Sequence, residues 1–191
     1  MIRGKRGLDL RRTLQKLYFE MHDLRYRLGK PTIAAMVGPA RAAGVTLAVS
    51  CDCIVAAEEA SLGTPEIVVG VIPAMHFVHL PRRIGRHQAF ELLFSGKPES
   101  ASEACAMGLV NKAVPRAKVM HEAGARLCAE VAVGDGVGAR RLHARQRFRV
   151  SPHDREQSRW ATGGGRICTL IETDDAQEGL AAFNEKRKPN W

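Results

Sequence analysis

A chain of 191 residues that is 45% hydrophobic and 26% charged can close a sizeable core, and its composition excludes a disordered or fibrous protein. Its longest apolar runs, such as Ile67 to Met75, are interrupted by Gly70 and Pro73. The basic start Met1 to Arg6 leads into no apolar block, so neither a membrane span nor a secretory signal is expected, and a cytoplasmic location is the default. The formal charge of +9 admits a polyanion or a phosphorylated ligand, but the excess is uneven: Arg140, Arg141, Arg145, Arg147 and Arg149 crowd together with His143. Little aromatic interleaving accompanies them beyond Phe148, so a solvated helix face is the expectation and nucleic acid is not an expected partner.

In chain order, Leu10, Leu14, Leu17, Tyr18, Met21 and Leu24 recur at helical spacing. They predict an amphipathic helix from Asp9 to Leu28, ended by Gly29 and Pro31. Thr32 to Val37 is a short apolar run bounded by Gly38-Pro39, the pattern of a strand buried on both faces in a parallel sheet. A small-residue helix, Ala42 to Ser50, and a second buried strand, Cys51 to Ala57, complete a strand–turn–helix–strand unit. Leu62 to Pro65 reads as a turn, and Glu66 to Gly70 resumes an apolar stretch. A helix is predicted from Pro81 to Phe94, closed by Gly96. Ser100-x-x-Glu103 is a capping box opening the next helix, which Gly108 closes. A short strand over Leu109 to Val114 and a helix over Ala117 to Val133 follow. Alternating strands and helices with short links make the fold α/β. The stretch from Gly134 to Arg166, rich in Arg and Gly, carries little periodicity, and helical pattern returns over Thr173 to Lys188. The chain therefore divides into a core over 1–133 and a C-terminal helical region over 134–191. Five cysteines (Cys51, Cys53, Cys105, Cys128 and Cys168) have neither disulfide-framework nor metal-ligand spacing, so reduced thiols and no metal site are expected.

Two places could carry chemistry. Gly38-Pro-Ala-Arg-Ala-Ala43-Gly44 joins a strand to a helix, where small residues let backbone approach a ligand and the first helical turn offers unpaired N–H groups to a developing anion. Such residues also serve close helix–sheet packing. Glu66 follows Pro65 at the mouth of a buried segment, where desolvation can raise a carboxyl pKa into the range of general acid–base work. A surface glutamate opening a strand has the same local sequence.

Taken together these segments resemble the crotonase (enoyl-CoA hydratase/isomerase) superfamily. The resemblance rests on Lys30 to Gly44 with Leu47-Ala48 and Cys51-Asp52, and on Leu62-Gly-Thr-Pro-Glu-Ile-Val-Val-Gly-Val-Ile-Pro73. It continues through Leu80 to Gly85, Ala89 to Gly96, Ser100 to Ala106 and Gly108 to Pro115, and returns at Thr173 to Asp175 and Glu178 to Pro189. It implies a β-β-α spiral with a C-terminal trimerisation region and an acyl-CoA thioester as ligand. A homotrimer or hexamer is expected, with no cofactor beyond the coenzyme A of the substrate.

By position, the resemblance makes the Ala43 amide one oxyanion donor and, through Arg6-Gly-Leu8-Asp9, the Leu8 amide the other. Gly44 shares the same bend. Glu66 falls on the family's proton-shuttling glutamate. The second glutamate of typical hydratases falls on Thr46, which cannot act as a base, so isomerisation fits better than hydration, with decarboxylation and thioester hydrolysis also open. Where relatives are often glycine-rich, this chain has Ala74-Met75-His76-Phe77-Val78-His79. Ala74, His76 and Phe77 are candidates to line the acyl pocket, with packing roles as the plainer alternative. Lys186 sits where the family's last helix nears the CoA phosphates, a position equally suited to complementing a helix dipole. The family's first strands have no counterpart before Leu8. A truncated product or a misplaced start is therefore expected, and with it a catalytically impaired or non-catalytic homologue as the alternative reading.

Overall fold

The computed structural model describes residues 20–28, 30–73, 76–132 and 173–191, together with Arg12 and Ile171. Leu8, Ala74 and the Arg- and Gly-rich stretch lie outside the described residues. Of the predicted first helix, Glu20–Arg27 is described and forms α1.

Among the described residues two small sheets organise the core. In the first, β1 (Ile33–Met36), β3 (Cys53–Ala57) and β6 (Lys112–Val114) run parallel in the order β1-β3-β6. All five residues of β3 are buried, as its unbroken apolar sequence predicts for a central parallel strand. Polar side chains lock the register at its edges. Asp52 accepts from the Thr32 N–H (2.8 Å) and hydroxyl (2.6 Å), and Asn111 exchanges two bonds with the backbone of Ile54.

In the second sheet, β2 (Ala40–Arg41) pairs parallel with β4 (Ser61–Gly63), and β4 pairs antiparallel with β5 (Glu99–Ser100). Both β2 and β4 fall where the sequence reads turn. Pairing is imposed from outside: the Arg41 guanidinium donates to the Ser61 carbonyl and hydroxyl. Gly63 also packs so close to Pro98 that a Cβ there would sit 3.1 Å from the Pro98 Cα.

Helix α2 (Ala43–Ser50) crosses between β2 and β3, burying Val45, Thr46, Ala48 and Val49. After β4 comes a 3-10 turn, Pro65–Val69, where the sequence reads an apolar stretch. Proline fits its first position, and Ile67 and Val68 are exposed. The single helix predicted from Pro81 to Phe94 is two, α3 (His76–Ile84) and α4 (Arg86–Ser95), because Gly85 adopts φ 82° between them. The capping box forms as read: Ser100 Oγ accepts from the Glu103 N–H, and the Glu103 carboxylate from the Ser100 N–H, at the start of α5 (Ala101–Ala106). Helix α6 (Val119–Ala132) lies against β1 and β3. Val45, Val55, Leu62, Leu80, Leu92 and Val119 are fully buried in one continuous cluster. Helix α7 (Asp174–Glu185) packs on the 3-10 turn, with Val71, Ile171 and Ala176 forming a small satellite core. Cys51, Cys53 and Cys105 are free thiols.

Candidate active site

The bend before α2 is built on a strained residue. Ala42 holds φ 49° and ψ −114°, the conformation of the first central residue of a type II′ turn, where glycine is favoured. Its own N–H donates to the Gly63 carbonyl (3.0 Å), fixing the bend to β4. Ala43 is the first residue of α2, so its N–H has no acceptor within the helix. Gly44 follows on the exposed side, where a Cβ would meet only the Ala40 Cβ at 3.7 Å.

Behind the bend sits a buried polar group that the sequence leaves scattered. His76, 2% exposed, places Nε2 2.9 Å from the Thr46 hydroxyl and 3.1 Å from the Ala42 carbonyl. The same carbonyl accepts from the Thr46 N–H (3.1 Å) and lies 3.3 Å from its hydroxyl. Burial pushes the His76 pKa down to about 4, opposed by the bond to the Ala42 carbonyl, so the ring is neutral at physiological pH. Thr46, where the family resemblance would place a second carboxylate, has its hydroxyl turned to His76.

Glu66 lies in the first turn of the 3-10 segment, three residues beyond the Gly63 that accepts from Ala42. Thr64 anchors this connection: it is fully buried, with its hydroxyl on the Leu92 carbonyl at 3.0 Å. The Glu66 side chain is half-buried, and its Oε2 is enclosed without a hydrogen-bond partner among the described residues. Desolvation raises its pKa above the usual carboxylate range, against a smaller lowering from its own backbone N–H. A carboxyl so placed takes up and releases a proton closer to neutrality than a solvated one.

The chain matches the enoyl-CoA hydratase/isomerase profile over residues 3–191. It belongs to that family. Its crotonase-type relatives include the putative enoyl-CoA hydratase of Thermus thermophilus, 37% identical over 171 residues, which make up 87% of this chain and 64% of that protein. The mitochondrial enoyl-CoA hydratase domain-containing protein 3 of Homo sapiens is 36% identical over 84% of this chain and 52% of its own length. Among solved structures, carnitinyl-CoA hydratase from Mycobacterium avium superposes with a TM-score of 0.76 at 33% identity, covering 85% of this chain and 63% of that one. The chain thus spans between about half and two thirds of the curated relatives named here.

Within this crotonase frame the structure brings Ala43, Thr46 and His76 together at one bend and ties Glu66 to it through β4. Phe77, the next residue to His76 on α3, is 53% exposed. Lys186 is exposed at the left-handed C-cap of α7, the helix that backs the Glu66 turn. Leu8 and Ala74 are outside the described residues. Among the described residues no helix is long and apolar enough to cross a membrane. What the sequence missed is the His76–Ala42 bond. Its only local trace is a histidine among apolar neighbours, and the partner lies 34 residues away.

Proposed function

We propose that the protein acts on acyl-CoA thioesters through an enolate, with Glu66 as the single acid–base group, and that double-bond isomerisation is its favoured reaction. The observation that carries this reading is the Glu66 carboxyl: partly buried, raised in pKa, and with an oxygen unclaimed by its described neighbours. In a 3-enoyl thioester, the Glu66 carboxylate removes a proton from C2. The electron pair moves onto the thioester oxygen, which the Ala43 N–H stabilises with the Leu8 N–H as second donor. The protonated Glu66 then returns the proton to C4, giving the 2-enoyl product with no net change of atoms. No cofactor besides the substrate's own coenzyme A takes part. Gly44, Ala74 and Phe77 would line the acyl site and Lys186 would face the CoA phosphates.

Hydration is disfavoured because Thr46 supplies no second base and its hydroxyl is already engaged. That same observation supports the second reading, a catalytically impaired homologue. A homotrimer or hexamer and a cytoplasmic location belong to the proposal as well. The test is turnover of 3-enoyl-CoA and crotonyl-CoA by the purified chain and by Glu66→Gln. Isomerisation above background that is lost in Glu66→Gln supports the enzyme reading. Background rates with both substrates, unchanged by the substitution, leave the impaired homologue.

A further inference from the structure

A peptide group is planar and trans, so the carbonyl of Ala42 and the N–H of Ala43 are opposite ends of one rigid unit. Whatever holds the carbonyl aims the N–H. Here the holding is unusual. Ala42 sits at φ 49°, where an alanine does not rest without support, and the peptide that follows it could relax by rotating. On one side the Ala42 N–H is tied to Gly63, while on the other the carbonyl meets Thr46 N, Thr46 Oγ1 and His76 Nε2 within 3.3 Å. A carbonyl oxygen has no proton to give, so a bond to it requires that His76 Nε2 carry the hydrogen. Of the described groups on the carbonyl, His76 alone comes from outside the bend and its helix, 34 residues along the chain.

We propose that His76 is a positioning residue for the reaction: its Nε2–H holds the Ala42 carbonyl and thereby keeps the Ala43 N–H facing the thioester oxygen. This rests on the reading of Ala43 as an oxyanion donor. It reassigns His76 from lining the acyl pocket to standing behind the opposite end of the donor peptide. A second effect follows from the same contact, because a hydrogen bond donated to a carbonyl polarises the peptide and strengthens the N–H at its other end. Thr46 takes part through the same carbonyl, so the residue that replaces a carboxylate helps complete the clamp.

The test uses substitutions that differ in reach. In His76→Gln the terminal amide can place an N–H near the former Nε2, in His76→Asn it stops short, and in His76→Leu no donor remains. For 3-enoyl-CoA isomerisation, His76→Leu and His76→Asn are expected to lower kcat by about 10- to 100-fold with KM within about twofold, and His76→Gln to restore it to within about threefold of the parent. A readout independent of turnover is the absorption band of bound 2,4-hexadienoyl-CoA, which moves to longer wavelength as its carbonyl oxygen is more strongly hydrogen-bonded. The parent and His76→Gln should shift the band, and His76→Leu, saturated with ligand, should not. If folded His76→Leu and His76→Asn shift the band as the parent does, the positioning role is overturned while the oxyanion reading stands. If the parent itself gives no shift, the oxyanion reading falls and takes this inference with it. Should the variants not fold, nitrogen NMR of the parent's histidines decides: an Nε2–H tautomer at His76 supports the clamp, and an Nδ1–H tautomer overturns it.

Discussion

The bend at Ala42 and the turn at Glu66 are connected through β4, whose Gly63 carbonyl accepts from the Ala42 N–H, yet they treat buried polarity in opposite ways. At the bend, the Ala42 carbonyl, the Thr46 hydroxyl and the His76 Nε2 satisfy one another inside the core. At the turn, the Glu66 Oε2 is enclosed with no such partner among the described residues. A satisfied buried network adds rigidity, whereas an unpaired buried acceptor costs about 1–3 kcal/mol and persists where something other than folding uses it. The first arrangement suits a donor that must not move, the second a group that must exchange protons.

The largest expected effect breaks the second half of this contrast. Glu66→Gln should reduce isomerase kcat by about 10²- to 10⁴-fold, the range associated with a positioned acid–base group. Stability should move the other way. The folded pKa of Glu66 is raised, so the fold favours the protonated form, and stability is lost as pH rises through that pKa. A glutamine is neutral throughout and escapes the loss, so denaturation at pH 7 to 8 should show the variant at least as stable as the parent. In the parent, the ascending limb of kcat/KM should lie above the ordinary carboxylate pKa of about 4.3. A variant both active and less stable would make Glu66 a structural residue.

The first half is tested by pH. His76 has a folded pKa of about 4, below its unfolded value near 6.5. Between these values the unfolded chain binds the proton and the fold does not, so stability falls as pH drops from about 6.5 to about 4, by about 3 kcal/mol in all. Denaturant midpoints across that window should show a steeper decline for the parent than for His76→Gln, which has no proton to gain there. Equal slopes would mean the ring is charged or solvated.

How far the sequence reveals this contrast depends on the range of the interactions that build each part. Elements set by their own residues are legible: the buried run of β3, the Ser100–Glu103 capping box, and the small residues at the bend. Strand β1 forms where expected but, with a single partner strand among the described residues, is only partly buried rather than buried on both faces. The 3-10 turn at Pro65–Val69 is not legible, because the three apolar residues Ile67 to Val69 are too few to show a period that separates strand from turn, and packing against α7 decides it. Gly85 splits a helix that side-chain periodicity alone reads as continuous, through a positive φ that only the backbone reveals. Glu66 is legible as a position, since the residues around it carry the family resemblance. The environment of Glu66, and the pairing of Thr46 with His76, depend on contacts between segments that no local pattern announces.

A smaller effect sharpens the link between α7 and the Glu66 turn. At most exposed helical sites, Gly→Ala gains stability. At Gly179 a Cβ would overlap the backbone of Val69, the last residue of the 3-10 turn. Gly179→Ala should therefore destabilise by about 1–3 kcal/mol and, by pushing the turn, lower kcat more than KM. Thermal unfolding with steady-state kinetics checks both; a rise in Tm would mean the helix stands off the turn.

The smallest effect separates strain from clamping at the bend. Ala42→Gly removes the Cβ that opposes φ 49°, relieving about 1–2 kcal/mol, while glycine adds roughly 0.5–1 kcal/mol of unfolded-state entropy to be overcome on folding. The balance runs from about zero to a gain of about 1.5 kcal/mol, read as a small rise in denaturant midpoint. Since a planar peptide still joins residues 42 and 43 and the His76 bond is untouched, kcat should hold. The double change with His76→Leu should be more damaging to kcat than the single changes combined, because the flexible residue then has nothing to restrain it. If the two effects merely add, the backbone freedom at residue 42 and the His76 bond act on the donor peptide independently.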